Sequence, residues 1–194
     1  MKQQTESRLY RIAEDQAGYF SLAQARELDL RRNQIYRELQ RGKFARAGRG
    51  VYRFVQFPAR RFEGIHFAVL SAGQHAVVGF QTALYVYELS NLIPDEIHLI
   101  LPATSSRRRP GIRVHTIQLT SEDVTHFEGL PITTVDKTII DCAFAHVDDQ
   151  QIRIAIFQSL QRGMTTKQKL IDQSRNSPNR VFELVNKIVG EVKL

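Results

Sequence analysis

Arg31, Arg32, Asn33 and Gln34 follow one another in a stretch that also carries Tyr36 and Arg37. Asn and Gln can pair with adenine through two hydrogen bonds, and Arg can do the same with guanine or hold a phosphate. A little further on, Lys43, Arg46, Arg49 and Arg53 are spaced along residues 43–53, with Arg49 between Gly48 and Gly50, where nothing obstructs its approach to a groove. The chemistry on offer is recognition of a polyanion. Charge points the same way. Of a net +7, residues 1–61 hold 14 Lys and Arg against 6 Asp and Glu, and residues 62–194 hold 13 against 14. An excess confined to one end describes a polyanion-binding module joined to a neutral domain, although charge alone does not separate DNA from RNA or an anionic membrane.

Bond-making chemistry has little to build on. His66, His75, His98, His115, His126 and His146 are scattered, and no pair has metal-ligand spacing. His98 and His115 fall on two expected strands and could be neighbours in a sheet, as structural residues. The pairs Glu122-Asp123 and Asp148-Asp149 fall in a loop or at a helix start, where the helix dipole favours acids, and lack the strand setting of a metal-dependent nuclease. There is no phosphate-binding glycine loop and no nucleophile elbow. Cys142, the single cysteine, has no disulfide partner, and its neighbours Ile139, Ile140, Ala143 and Phe144 mark it as buried and apolar. We therefore expect no catalytic residue, no metal and no cofactor.

The elements that position the basic residues are short. A helix over 6–16 carries Leu9, Ile12 and Ala13 at helical spacing and stops at Gly18. Ser21 with Gln24 three residues on reads as a capping box, with Phe20 as a staple, for a helix that places Leu22, Ala25 and Leu28 on one face. Asp29-Leu30 is a break. A third helix over 31–41 turns Ile35 and Leu39 inward and ends at Gly42. Residues 44–54 read as a β-hairpin with a Gly-Arg-Gly tip. Three short helices and a basic hairpin are the order of a winged helix-turn-helix, whose recognition helix reaches base edges with its N-terminal residues. The expected DNA contacts are Ser21, Arg31, Arg32, Asn33, Gln34, Tyr36, Arg37, Lys43, Arg46, Arg49 and Arg53. Lys43 and Arg41 also lie where they would offset the negative end of the third helix, and Tyr36 is either partly core or a phosphate contact.

Pro58 and Arg60-Arg61 mark a boundary between a DNA-binding domain over 1–58 and a mixed α/β domain over 59–194, an α+β protein with a helical C-terminal part. In the second domain we expect helices over 62–71 and 80–89, the latter turning Phe80, Ala83, Leu84 and Tyr87 inward. Strands are expected over 96–101, 111–116 and 130–133. A helix then starts at Thr133 with Asp136 as part of its cap, followed by helices over 150–162, 166–174 and from Ser177-Pro178 onward. Ile152, Ile156, Phe157 and Leu160 read as core. No apolar stretch approaches the roughly 20 residues that span a membrane, and the polar start MKQQTESRLYRI carries no signal core, so the expected location is the cytoplasm.

The runs Tyr19-Phe20-Ser21-Leu22-Ala23-Gln24-Ala25 and Arg49-Gly50-Val51-Tyr52 resemble the N-terminal domain of AbiEi-family antitoxins of type IV toxin–antitoxin and abortive-infection systems. The likeness continues in Glu96-Ile97-His98-Leu99-Ile100-Leu101-Pro102 and in Leu130-Pro131-Ile132-Thr133-Thr134-Val135-Asp136-Lys137-Thr138-Ile139-Ile140-Asp141-Cys142-Ala143, reaching about residue 145. The resemblance implies a winged helix-turn-helix joined to an α/β domain. It also implies repression of the protein's own promoter through inverted repeats in double-stranded DNA, and neutralisation of a cognate nucleotidyltransferase-like toxin without a stable complex. Alternatives are a stand-alone winged-helix regulator, or an interaction protein whose second domain binds a toxin or RNA. Arg107, Arg108 and Arg109, before Pro110-Gly111, are either a solvated loop or a second basic contact toward phosphate, toxin or RNA.

Overall fold

The computed structural model describes residues 3–103 and 109–192. The chain forms two compact units. The first is Met1–Ala76 with His126–Leu130, and the second is Val77–Thr125 with Pro131–Leu194.

The first unit opens with α1 (Gln3–Asp15), β1 (Tyr19–Ser21), α2 (Leu22–Glu27) and α3 (Arg32–Gln40). The strands β2 (Phe44–Gly48) and β3 (Val51–Phe54) and the helix α4 (Glu63–Ala72) follow. The capping box is present: Gln24 N–H donates to Ser21 Oγ at 3.1 Å, and Ser21 N–H donates to Gln24 Oε1 at 2.8 Å. The helix α2 ends with Asp29 in the left-handed region at φ 59°, where Asp29 N–H donates to the Arg26 carbonyl and Leu30 N–H to that of Ala25. Asp tolerates this conformation better than most residues, and the two bonds satisfy carbonyls the helix end would otherwise orphan. The same closure ends α3, with Gly42 at φ 71° in that role.

Sequence periodicity did not reveal β1. Three residues are too few to show alternation, and Ser21 also serves as a helix cap. In the fold Phe20 lies opposite Tyr52 and Ser21 opposite Val51, so β1 extends the hairpin to a three-stranded sheet in the order β1-β3-β2. Phe20, Phe44 and Phe54 are buried together with ring centroids 4.7–5.5 Å apart, and Leu9, Ala13, Ala25, Ile35 and Phe57 close this core. Burying these rings, two of the three pairs edge-on, removes apolar surface from water and adds ring–ring attraction, each stabilising the unit.

This first compact unit is larger than the expected 1–58 segment. The helix α4 packs on β1 and β3, and Phe67 lies 6.1 Å from the ring of Tyr19. Gly129, at φ 73°, brings residues 126–130 against the Asp15 carbonyl, where any Cβ would collide.

The second unit is built on β4 (Val77–Val78), β5 (Ile97–Ile100) and β6 (Ile112–His115), with Val124–Thr125 of β7 (Val124–Phe127) and Pro131–Thr133 of β8 (Leu130–Thr133), in a five-stranded sheet of order β6-β5-β4-β8-β7. The strands β5 and β6 run parallel with Leu99 opposite Val114, and β4 runs antiparallel to β5 and parallel to β8. The helices are α5 (Phe80–Val86), α6 (Val135–Phe144), α7 (Asp149–Gln161), α8 (Lys167–Ser174) and α9 (Asn179–Glu191). Val78, Leu84, Leu99, Ile132, Ile139 and Ile152 are fully buried and form its centre.

Several expectations need correction here. The N-cap of α6 is Thr134; the Thr133 hydroxyl meets that of Thr138 at 2.7 Å, and Asp136 accepts from the Thr165 hydroxyl. Pro178, not Ser177, caps α9. Phe157 is 47% exposed, because α7 buries Ile152, Ala155, Ile156, Ser159 and Leu160, and residue 157 turns about 100° past that face. The strands β4 and β7 were not expected. The first has two residues, and the second alternates weakly with exposed Thr125 and His126.

Candidate nucleic-acid interface

The helix α3 presents two faces. Ile35 is 1% exposed and holds the helix to the aromatic core, with Leu39 packed beside it. Arg31, Arg32, Asn33, Tyr36 and Arg37 are exposed on the remaining surface. Gln34 sits at the third helical position, and its Oε1 accepts from Arg31 N–H at 2.8 Å. That bond turns its acceptor toward the helix start and leaves its amide N–H groups as donors for another partner.

The hairpin stands beside this face. Together α3 and the hairpin enclose a groove of about 1030 Å³, lined by Arg32, Asn33, Tyr36, Arg46, Arg49, Gly50 and Tyr52, with Leu22, Ile35 and Leu39 at its floor. The hairpin turn is tied to α2, since the Gly50 carbonyl accepts from Leu22 N–H at 2.8 Å. Arg46 and Arg49 are exposed, and Arg46 Nε reaches the Gly48 carbonyl at 3.4 Å. None of Arg31, Arg32, Arg37, Arg46 and Arg49 has a carboxylate partner among the described residues. Arg32, Arg46 and Arg49 line the groove, and Arg31 and Arg37 lie on the adjoining surface of α3, so that the unneutralised guanidinium groups suit an anionic, ridged ligand.

Other residues of the expected set are occupied within the unit. Arg53 is half-buried; its Nη2 donates to the carbonyls of Phe57 and Pro58, both at 2.9 Å, and its guanidinium lies 5.5 Å from the ring centre of Tyr19. Lys43 pairs with Glu6, and Arg41 with Glu38 at 3.0 Å. Ser21 serves as the α2 cap. Arg109 forms an isolated bridge with Ile112, while Arg107 and Arg108 lie outside the described residues.

Residues 7–55 match the family described as transcriptional regulator, AbiEi antitoxin. The matched span runs from α1 to the end of the hairpin and contains the whole groove. It supports a role in transcription regulation. The fold is also similar to that of the RV2827C protein from Mycobacterium tuberculosis, with a TM-score of 0.52 and 14% identity over 96% of this chain and 76% of that one. No curated protein matches the chain.

Two arginines of the AbiEi-like region join the surface without having been expected there. Arg8 on α1 lines a second depression, of about 540 Å³, with Arg31, Asn33, Gln34 and Arg37. Arg26 on α2 lines a third, of about 590 Å³, with Arg31 and Arg32. Glu27 and Asp29 temper these sites. Only the total charge hinted at Arg8 and Arg26, because each lies on an ordinary polar helix face.

Beyond the matched residues several titratable groups are tied into the fold. His98 and His115 are neighbours, with Nδ1 of one 3.2 Å from Nε2 of the other, and Phe80 stacks on His115 at 3.7 Å. Burial pulls both histidines down to about 4; Arg113 adds to this at His98, and His98 and then Arg113 add to it at His115. Cys142 is buried, and burial, with Asp141 beside it, pushes its thiol up. Asp123 accepts from Thr120 N–H at 2.9 Å, and Asp148 caps α7. Among the described residues no group of three His, Cys, Asp or Glu could hold a metal ion, and no helix is long and apolar enough to cross a membrane.

Proposed function

We propose that the first unit is a winged helix-turn-helix that binds double-stranded DNA, and that the protein is the autoregulating repressor and antitoxin of a type IV toxin–antitoxin system. The observation that carries this reading is the groove between α3 and the hairpin, with its unpaired arginines and Asn33, lying inside the segment that matches the AbiEi family. In the proposed complex α3 enters the major groove, where Arg31, Arg32, Asn33 and Gln34 reach base edges, and Arg37 meets the backbone. The hairpin is the wing, and Arg46 and Arg49 lie over the adjoining backbone or minor groove. Ser21, Lys43 and Arg53 then act by holding the reading head in shape.

The role is non-enzymatic. DNA reading belongs to residues 1–58, supported by α4, and neutralisation of a nucleotidyltransferase-like toxin belongs to residues 59–194. The operator is an inverted repeat in the protein's own promoter, and the protein works in the cytoplasm. The test is binding of the full chain to the DNA upstream of its gene against unrelated DNA of equal length and composition. A strong preference for the upstream DNA is expected. Equal binding to both would leave only a basic surface. A nucleotidyltransferase-like reading frame next to the gene is expected as well, and its absence would favour a stand-alone regulator.

A further inference from the structure

The polar face of α3 carries one large apolar group that the fold does not use. Tyr36 is 61% exposed. It lies four residues after Arg32 and three after Asn33, on the same strip of the helix, and lines the groove opposite Arg46 and Arg49. Its ring meets no other aromatic ring among the described residues, and α3 is already anchored by Ile35 and Leu39. A ring in the middle of a cationic surface needs an apolar patch on the ligand to bury against. The major groove offers donors and acceptors at every base pair but only one apolar group, the C5-methyl of a pyrimidine.

We propose that Tyr36 is a specificity-determining residue that packs its ring on a pyrimidine C5-methyl group, while Arg32 and Asn33 hydrogen-bond to the neighbouring base edges. This rests on the DNA-reading function proposed above. The methyl belongs to thymine, or to 5-methylcytosine where the DNA is modified. Loss of one buried methyl weakens such a contact about fourfold.

The test starts with the full chain selecting a duplex from a randomised library. The selected duplex is then remade with uracil for thymine at one position at a time, and with 5-methylcytosine for cytosine. Wild type is expected to lose about fourfold at one thymine of each half-site. Tyr36→Ala, at an exposed position, should fold normally and be indifferent to that change, and Tyr36→Phe should keep the sensitivity. If uracil has no effect but 5-methylcytosine strengthens wild type and not Tyr36→Ala, the methyl is that of the modified base. Equal sensitivity in wild type and Tyr36→Ala, or no sensitivity to any methyl in a protein that selects a duplex, overturns the proposal. So does a Tyr36→Phe variant as weak as Tyr36→Ala, which would assign the contact to the hydroxyl. Failure to select any duplex overturns the DNA-reading function itself.

Discussion

The two units differ in how their exposed arginines are partnered, although Arg41 and Arg53 of the first also meet Glu38 and Glu63. In the second unit Arg113, Arg153, Arg175 and Arg180 each meet a carboxylate: Glu96, Glu191, Asp172 and Asp149. In the first, Arg31, Arg32, Arg37, Arg46 and Arg49 meet none, and they gather on α3 and the hairpin. Exposed ion pairs add little to stability, so the contrast concerns what each surface is prepared to meet. A surface whose cations are already paired gains little from an approaching phosphate. A surface with unpaired ones releases counterions from nucleic acid when it binds. The first unit also divides internally, because Arg53 and Lys43 have the same sign and neighbourhood as Arg49 but are held by Phe57, Pro58 and Glu6.

The largest effect that would break this comparison is on DNA affinity. Replacing Arg32 and Arg49 together by Ala should weaken binding to upstream DNA about a hundredfold, taking about tenfold per contact. Replacing Arg153 and Arg175 together should leave binding unchanged. Fluorescence anisotropy on a labelled fragment measures both, and similar losses in the two pairs would erase the distinction between the units. The second effect concerns stability. Arg53→Met keeps the aliphatic stem but leaves the Phe57 and Pro58 carbonyls without their donor, and should cost about 1–3 kcal/mol in a denaturant titration. Arg49→Ala should stay within about 0.5 kcal/mol of wild type, as an exposed substitution with no partner does.

The smallest effect sharpens the comparison through pH. His98 and His115 titrate at about 4 in the folded second unit, against the ordinary 6.5 when unfolded. The unfolded chain therefore binds more protons between these values. Their contribution to stability is complete above about pH 6.5 and is lost as pH falls toward 4. His66 in the first unit, pulled down to about 4 by burial, acts in the same direction. Thermal unfolding followed across this window should fall with pH, and His115→Phe should flatten the fall.

Much of the first unit was legible because its signals are local. The Ser21–Gln24 capping box, the break at Asp29 and the glycines around Arg49 each fix the chain within a few residues. The strands β1 and β4 were not legible, since two or three residues carry no period and their pairing partners lie 20 or more positions away. In the candidate site, residue type located the arginines but not their partners. Nothing near Arg53 in sequence announces that it turns back onto the Phe57 and Pro58 carbonyls, while Arg49, four residues earlier, faces out. Phe157 failed for a similar reason. An apolar residue on an amphipathic helix is assigned inward by type, and only the packed face shows otherwise.

The central claim is that α3 and the hairpin form a DNA-reading surface, and the salt dependence of binding tests it most directly. Affinity of the full chain for its upstream DNA should fall by about 0.9 log unit per log unit of salt for each phosphate neutralised. Arg32→Ala/Arg49→Ala should lower that slope by up to about one unit for each arginine that meets a phosphate. A slope and affinity identical to wild type in the double variant would contradict the account and move the binding surface elsewhere.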